Sequence, residues 1–363
     1  MRFDTIRYME WAKIHQSIRP VRYDLSSSAV APPTPAEIGV TAEDASWEGE
    51  NHYGHPELRG LIAARYGVLP ENVLPCGGSS LANFLFAAVL LQTGDAAALE
   101  SIVYEPLRKI LEALEVRILE VPRRKEDRFQ PDVAAAERAF AGGAKLLILS
   151  DLHNPTGIHI DRARLQAIGA SAEKHGAHVL VDEVYLDALG ARRPPIAATL
   201  GPQFLSTCSL TKVYGLGNLR AGWGVADPAL VQRALRVYDY LSVLNSMPAD
   251  RVAIRCHRKI DWLLERSLRT REANIPILRT WLDGRTDLEA TTPDAGFITW
   301  IRLKSKARSL PLVDLLRSKY DAQVSPGHFF GCDDHIRIGC GMPQETLKEG
   351  LRRLGQALDE LGR

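Results

Sequence analysis

The sequence predicts an α/β protein with a mainly parallel central sheet in a large domain and a smaller α+β domain after it. Short apolar runs alternate with helical patterns through most of the chain, which is typical of a parallel sheet covered by helices. The run at 144–150 is almost continuously apolar, as expected for a strand that is buried on both faces. Polar residues follow several of these runs, and ligands bind at the carboxyl ends of such strands.

The composition is that of an ordinary globular protein. The chain has 363 residues, of which 45% are hydrophobic and 25% charged, with a formal net charge of +1. This length allows a large core and two domains, and the balanced charge gives no reason to expect a nucleic-acid or membrane partner. The apolar run at 84–91 is too short to cross a bilayer, and the charged N-terminus predicts no secretion signal. The five scattered cysteines predict free thiols in a reducing cytoplasm.

Residues 1–40 are expected to form an N-terminal segment that joins the small domain. Tyr8, Trp11 and Ile14 recur at helical spacing, which predicts an amphipathic helix that docks on another part of the protein. The proline-rich stretch at 31–35 predicts an extended loop, since proline cannot donate a backbone hydrogen bond.

Residues 41–275 are predicted to form the large domain, in which strands and helices alternate. Strands are expected at 96–104, 116–121, 144–150, 177–181 and 204–208, and one that ends at Val225. Helices are expected at 56–66, 81–91, 106–114, 162–175 and 228–244, and a long one at 250–282.

Residues 276–363 are predicted to form the small domain. Its composition indicates strands at 287–291, 297–303 and 336–338, with helices at 311–320 and 344–361. The interleaving of short strands and helices is typical of an α+β domain.

Two stretches predict a phosphate site. Gly78, Ser79 and Ser80 lie in a glycine-serine turn that leads into a helix, where backbone N–H groups, the helix dipole and hydroxyls attract an anion. An N-capping serine on a core helix would show the same pattern. Ser209 and Arg220 supply a hydroxyl and a guanidinium on either side of a lysine, and both fit a phosphate dianion.

That lysine is Lys212, which follows the buried run at 204–208. Loss of water around an ammonium lowers its pKa, so this amine is expected to be available for a Schiff base. A lysine with Ser209 and Arg220 at these offsets suggests pyridoxal 5′-phosphate (PLP) as the cofactor.

Four polar residues and one arginine complete the predicted site. Asp182 ends an apolar strand and would pair with the pyridine nitrogen of PLP, which keeps the ring protonated. Asn154 and Tyr185 would hydrogen-bond the phenolic oxygen, and Tyr104 would stack on the ring. Arg337, between two isoleucines, has the planar fork that fits the substrate α-carboxylate, and Asn154 is expected beside the substrate as well.

Other kinds of site are not expected. His153 and His159 lack acidic or cysteine neighbours at metal-ligand spacing, so no metal site is predicted. The chain has no P-loop motif and no Gly-x-Ser-x-Gly nucleophile elbow.

The order of these motifs resembles the class I/II aminotransferases, which are PLP enzymes of fold type I in the aspartate aminotransferase superfamily. The resemblance covers about residues 50 to 340 and rests on Tyr53-Gly54-x-Pro56, Gly77-Gly78-Ser79-Ser80, Asn154-Pro155-Thr156-Gly157, Asp182-Glu183-x-Tyr185, Ser209-x-Thr211-Lys212, Gly217-x-x-Arg220-x-Gly222 and Arg337. It implies that Lys212 is the Schiff-base lysine and proton shuttle. It also implies a homodimer in which Tyr53 reaches the phosphate of the neighbouring subunit. The chain departs from the family at 26–29, where Ser-Ser-Ser-Ala replaces the usual glycine before a proline.

The resemblance therefore implies a cytoplasmic, PLP-dependent aminotransferase that moves the amino group of an L-amino acid to a 2-oxo acid by a ping-pong mechanism. The motifs predict the cofactor and not which bond of the substrate breaks. A PLP-dependent lyase, decarboxylase or cyclising enzyme of the same fold is the alternative. A PLP-binding regulatory protein is a third possibility, which the intact lysine, aspartate and arginine disfavour.

Overall fold

The computed structural model describes residues 1–304 and 307–362. Its strands are β1 (Tyr23–Asp24), β2 (Val73–Cys76), β3 (Ala96–Ser101), β4 (Arg117–Pro122), β5 (Ala144–Ser150), β6 (His178–Asp182), β7 (Phe204–Ser209), β8 (Gly222–Val225), β9 (Leu288–Ala290), β10 (Ile298–Leu303), β11 (Ala322–Gln323), β12 (Ser325–Pro326) and β13 (His335–Gly339). Its α-helices are α1 (Arg7–Lys13), α2 (Pro35–Ile38), α3 (Pro56–Tyr66), α4 (Ser79–Leu90), α5 (Glu105–Ala113), α6 (Val133–Ala141), α7 (Arg162–Lys174), α8 (Pro228–Leu241), α9 (Met247–Arg258), α10 (Ile260–Asp283), α11 (Ser309–Tyr320) and α12 (Gln344–Leu361).

A seven-stranded sheet forms the centre of the protein, in the order β2-β8-β7-β6-β5-β3-β4. The pairs from β7 to β4 are all parallel, whereas β8 runs antiparallel to both β2 and β7. The predicted α/β fold with a mainly parallel sheet is confirmed.

The central strands are apolar throughout because helices cover both faces of the sheet. Leu146 and Ile148 of β5 pack into a cluster with side chains of α4, α5 and α8. Leu147 and Leu149 point to the opposite face and pack with side chains of α6 and α7. Since successive side chains of a strand alternate between faces, both sets must be apolar.

The C-terminal part has its own antiparallel sheet, in the order β12-β13-β10-β9. Side chains of this sheet share a core with α11 and α12, and Tyr8, Trp11 and Leu25 of the N-terminal segment belong to the same core. Strand β1 also pairs in parallel with β11. The N-terminal segment therefore packs on the C-terminal part. Helix α10 runs across residue 275, and the division of the chain at residues 40 and 275 stays a prediction.

Three predicted elements extend too far. The helix expected at 250–282 is two helices, because the backbone at Lys259 leaves the helical region with φ −116° and ψ 20°. The helix expected at 228–244 ends at Leu241, and Val243 has a positive φ of 59°. The strand expected to reach Tyr104 ends at Ser101, and Tyr104 instead caps α5, which carries a proline in its first turn. Apolar periodicity does not detect such local changes of backbone direction.

The described residues contain no membrane-spanning helix, no metal cluster and no disulfide. No described helix is long and apolar enough to cross a membrane. No group of three or more His, Cys, Asp or Glu side chains in the described ranges could hold a metal ion. All five cysteines are free thiols, and four of them are buried.

Candidate active site

A cavity of about 510 Å³ lies where β5 and β6 end and where the chain leaves β7. It brings together most of the predicted site. Eight predicted residues line it, namely Ser79, Ser80, Tyr104, Asn154, Asp182, Tyr185, Lys212 and Arg220. The carboxyl ends of parallel strands meet at one edge of a sheet, which explains how residues far apart in the chain share this space.

The predicted phosphate residues cluster at the start of α4. Gly78 is the residue before the helix and has a φ of +107°, while Ser79 and Ser80 form its first turn. Arg220 donates from Nη2 to the Gly77 carbonyl at 2.7 Å. A Cβ at Gly78 would lie 2.3 Å from Arg220 Nη2 and would displace this guanidinium, and the positive φ adds strain for any residue but glycine. Free N–H groups of a helix start, two hydroxyls and a guanidinium are suited to a phosphate dianion.

Ser209 lies behind this cluster and not in the cavity wall. It ends β7 and is fully buried. Its Oγ accepts a hydrogen bond from the Thr211 backbone N–H at 3.3 Å. In the described structure this hydroxyl therefore supports the turn that carries Lys212, and its predicted phosphate contact stays a prediction.

Lys212 presents its amine inside the cavity. Its Nζ donates to Ser28 Oγ at 2.9 Å. The pKa of Lys212 is lowered from 10.5 to about 8, first by burial and then by the positive charge of Arg337, while the charge of Asp182 opposes the shift. Near pH 8, the neutral fraction of this amine is therefore larger than that of an ordinary lysine. Only the neutral amine is a nucleophile.

Asp182 is held in one orientation by two donors. Its carboxylate accepts from Asn83 Nδ2 at 2.8 Å and from the Val184 backbone N–H at 3.2 Å. Asn83 is itself oriented by Thr207, whose hydroxyl donates to Asn83 Oδ1 at 2.6 Å. Burial raises the pKa of Asp182, while the bond from Asn83 is the largest influence that opposes the rise. A buried carboxylate of this kind is suited to pair with a protonated ring nitrogen.

Tyr185 supplies a test of whether the cavity fits PLP. Its buried hydroxyl makes no hydrogen bond to any residue within the described ranges. Burial raises the pKa of Tyr185 to about 12, so the group is a neutral O–H donor. A buried donor without a partner is costly, and the phenolic oxygen of PLP would be a matching acceptor. Together with the amine of Lys212 and the accepting carboxylate of Asp182, this donor fits the polar groups of the cofactor.

Arg337 is fully buried behind the cavity and links three parts of the chain. Its Nη1 donates to Asn154 Oδ1 at 2.8 Å, and its Nη2 donates to the Tyr8 hydroxyl at 2.9 Å. Nη2 also donates to the Ser26 carbonyl and the Ser325 hydroxyl, both at 3.0 Å. Nε has no hydrogen-bond partner among the described residues. Arg337 is thus next to Asn154, which lines the cavity, but the substrate carboxylate contact itself stays a prediction.

The other two predicted tyrosines, Tyr104 and Tyr53, differ in position. Tyr104 lines the cavity, and its ring lies 5.5 Å from that of Tyr8 in an edge-on arrangement. Tyr53 lies outside the cavity of its own chain, is 40% exposed, and its hydroxyl donates to Asp239 at 3.4 Å. Its predicted role in a neighbouring subunit therefore stays a prediction.

Sequence reasoning missed three polar residues of this site. Asn83 orients Asp182, Tyr8 binds Arg337 and Ser28 binds Lys212. Asn83 carried a weak signal, because it is a polar residue inside the apolar helix α4. Tyr8 was placed on a docking helix without a partner, and Ser28 was noted only as a departure from the family pattern.

Comparisons with known proteins identify the family of this chain. The sequence model of the family "Aminotransferase class I and II" matches residues 42–354. The chain belongs to this family. It is a PLP-dependent enzyme of the aminotransferase class, with fold type I, as its motifs predicted.

The names of similar proteins describe different activities. Capreomycidine synthase of Streptomyces vinaceus is 29% identical over 310 residues, which cover 84% of this chain and 79% of that protein. Arginine–pyruvate transaminase of Pseudomonas aeruginosa is 25% identical over 350 residues, 90% of this chain and 88% of that protein. Among solved structures, a PLP-dependent aminotransferase from Streptococcus suis has a TM-score of 0.93 at 24% identity, with full coverage of both chains. The PLP-dependent cyclase OrfR has a TM-score of 0.89 at 26% identity, covering 99% of this chain and 98% of that one.

Proposed function

We propose that this protein is an aminotransferase that moves the amino group of an L-amino acid to a 2-oxo acid in two half-reactions. The observation that carries the proposal is the amine of Lys212, buried in one cavity with a pKa of about 8. A neutral amine in this place can attack a carbonyl and later carry a proton. PLP, when bound, supplies an electron sink that stabilises negative charge at the substrate Cα.

The chain's own residues divide the remaining work. Ser79, Ser80 and Arg220 hold the phosphate, and Asp182 keeps the ring nitrogen protonated. Tyr185 donates to the phenolic oxygen. The support for these assignments is the shared cavity and the unpartnered hydroxyl of Tyr185.

On the substrate side, Arg337 orients the α-carboxylate and Lys212 Nζ takes the proton from Cα. The support is the hydrogen bond from Arg337 to Asn154, whose side chain lines the same cavity as Lys212. A bidentate arginine would fix the substrate so that its Cα–H bond faces the amine.

The protein works in the cytoplasm as a homodimer in this proposal, and Tyr53 contributes to the site of the second copy. Tyr53 is exposed and contacts Asp239, and Tyr240, Leu241 and Val243, which follow Asp239 in the chain, are exposed as well. Apolar side chains gathered at a surface favour an interface. Mixing a Lys212→Ala variant with a Tyr53→Ala variant should restore activity, because one site of each hybrid dimer keeps both residues. A lack of restoration in a dimer that demonstrably exchanges subunits would contradict the shared site.

A cyclising enzyme on the same cofactor is the second candidate. Two relatives are named for synthesis or cyclisation, capreomycidine synthase and the cyclase OrfR. The residues that hold the cofactor would serve either reaction, since they act before the reaction paths separate.

An isotope experiment distinguishes the two. The enzyme is incubated with a panel of ¹⁵N-labelled L-amino acids, including arginine, and with pyruvate or 2-oxoglutarate. Appearance of ¹⁵N in the acceptor's amino acid, with the 2-oxo acid of the donor, supports transamination. Release of ammonia, carbon dioxide or a cyclic product without transfer of ¹⁵N would reject it in favour of the alternative.

A further inference from the structure

The amine of Lys212 has a defined partner that belongs to the N-terminal segment. Ser28 Oγ accepts from Lys212 Nζ at 2.9 Å, across 184 residues of sequence. No other hydrogen bond of Nζ is found among the described residues. Ser28 is buried and lines a second cavity of about 420 Å³, which shares Tyr104 and Lys212 with the first. The hydroxyl thus lies at the junction of the two cavities.

The backbone around Ser28 is held tightly against the same lysine. The Val30 N–H donates to the carbonyl of Lys212 at 3.2 Å, and the Ala31 N–H donates to Gly341 at 2.9 Å. On the other side, the Ser26 carbonyl accepts from Arg337. Hydrogen bonds on both sides fix the position of the Ser28 hydroxyl relative to the lysine amine.

The hydrogen bond between Lys212 and Ser28 suits a lysine that transfers a proton. A neutral amine that donates one N–H to a hydroxyl oxygen keeps its lone pair directed elsewhere. A lysine side chain otherwise rotates about four bonds, and a glycine at this position offers no oxygen to hold it. The Ser28 hydroxyl also lies near that of Tyr185 and lowers the pKa of Tyr185, although the two do not align as a hydrogen bond.

We propose that Ser28 is a positioning residue that holds the free amine of Lys212 in place for proton transfer. This inference rests on the proposed aminotransferase function for the reaction it serves. In each half-reaction Lys212 Nζ accepts one proton from a carbon and releases it to another, so it returns to the neutral amine. Ser28 neither gains nor loses a proton; it accepts an N–H bond whenever the amine of Lys212 is free.

The first test measures the amine without any turnover. The full-length chain is freed of cofactor, and the reactivity of Lys212 towards acetic anhydride is followed against pH by mass spectrometry. Because the Ser28 oxygen stabilises the ammonium form, Ser28→Ala and Ser28→Gly should move the midpoint of Lys212 labelling to lower pH. Ser28→Thr, which keeps the hydroxyl, should retain the wild-type midpoint.

The second test measures proton transfer in the loaded enzyme. Ser28→Ala should lower kcat about tenfold, the usual effect of one lost hydrogen bond at a reacting group, with KM little changed. The effect of α-deuteration of the substrate on kcat should increase, because proton transfer becomes slower. Ser28→Thr should restore much of the rate.

Ser267→Ala is the matched control. Ser267 is also a buried serine, and its hydroxyl donates to the carbonyl of Val213, next to Lys212 in sequence. This variant loses a hydroxyl that is buried like that of Ser28 but does not contact Lys212 Nζ. Its labelling midpoint and isotope effect should therefore match those of the wild type.

Two outcomes would overturn the inference. The first is a labelling midpoint of Lys212 that stays unchanged in folded Ser28→Ala and Ser28→Gly. The second is a Ser28→Thr variant that turns over slowly although its labelling midpoint is that of the wild type. The labelling test needs no substrate. A normal midpoint shift together with an absence of ¹⁵N transfer would therefore reject the aminotransferase and leave the Ser28 contact in place.

Discussion

The two sides of the active site are built from different parts of the chain. The cofactor side, defined by Ser79, Ser80, Asp182 and Arg220, lies at the start of one helix and the ends of neighbouring elements of one sheet. The substrate side, defined by Tyr8, Ser28 and Arg337, joins the N-terminal segment to the last short strand.

The two sides also differ in how many residues separate the partners of a contact along the chain. The contact between Arg337 and Tyr8 spans 329 residues, and that between Arg337 and Ser26 spans 311. On the cofactor side, the turn at 77–80 and the Lys212–Arg220 stretch are continuous motifs. The contacts of the cofactor side join continuous motifs over shorter separations, such as the 143 residues between Arg220 and Gly77. The substrate side depends on how the N-terminal segment docks on the C-terminal part.

Removing Lys212, which both sides share, should have the largest effect. Lys212→Ala should abolish the covalent attachment of PLP and all activity, because no other amine was found among the lining residues except Lys13, which is exposed. Borohydride reduction followed by peptide mass spectrometry checks the attachment. Lys145→Ala, which removes a half-exposed lysine paired with Asp95, is the control. Labelling of a different lysine in the wild type would overturn the assignment.

Arg337→Ala should act mainly on the substrate side. The loss of a charged hydrogen-bonding pair should weaken amino-acid binding by about 1.5–3 kcal/mol, while PLP binding changes little. Spectroscopic titrations with PLP and with an amino acid measure the two affinities. Arg302→Ala is the control, since Arg302 is an exposed arginine on the adjacent strand β10. Equal loss of both affinities, with a lower melting temperature, would instead indicate a structural role for Arg337.

Gly78→Ala should weaken PLP binding and leave amino-acid binding unchanged, the opposite of Arg337→Ala. Its Cβ would lie against Arg220 Nη2, and the residue would keep a positive φ, so a strain of about 1–3 kcal/mol is expected at the phosphate. PLP affinity should fall, with amino-acid affinity in the PLP-saturated enzyme unchanged. Gly60→Ala is the control, because a Cβ there meets no atom within 4 Å. Normal PLP binding by Gly78→Ala would remove this turn from the phosphate site.

The pH dependence of PLP attachment should reveal a smaller coupling between the sides. With the Lys212 pKa at about 8, the attachment rate should fall tenfold per pH unit below pH 8 and level off above it. Because the charge of Arg337 lowers this pKa, Arg337→Ala should move the midpoint to higher pH. Stopped-flow absorbance from pH 6 to about 10 measures both profiles. An unchanged midpoint in the variant would show that the two sides are electrostatically independent.

The predictability of the fold depends on whether an element carries its own local pattern. Helices α3 and α12 and strand β5 begin and end where the sequence predicted, because each has continuous periodicity bounded by turn residues or proline. The break at Lys259 was missed, since two amphipathic helices in succession have the same pattern as one.

By itself, the sequence determined the cofactor, the parallel sheet, and the set of residues that gather at its edge. These features depend on short motifs and on strand ends, which meet at one edge of a parallel sheet. Only the tertiary structure decided which groups touch Lys212, Asp182 and Arg337. Ser28, Asn83 and Tyr8 reach them across long stretches of chain, and such contacts arise from the packing of whole segments and leave no periodic signal in the sequence.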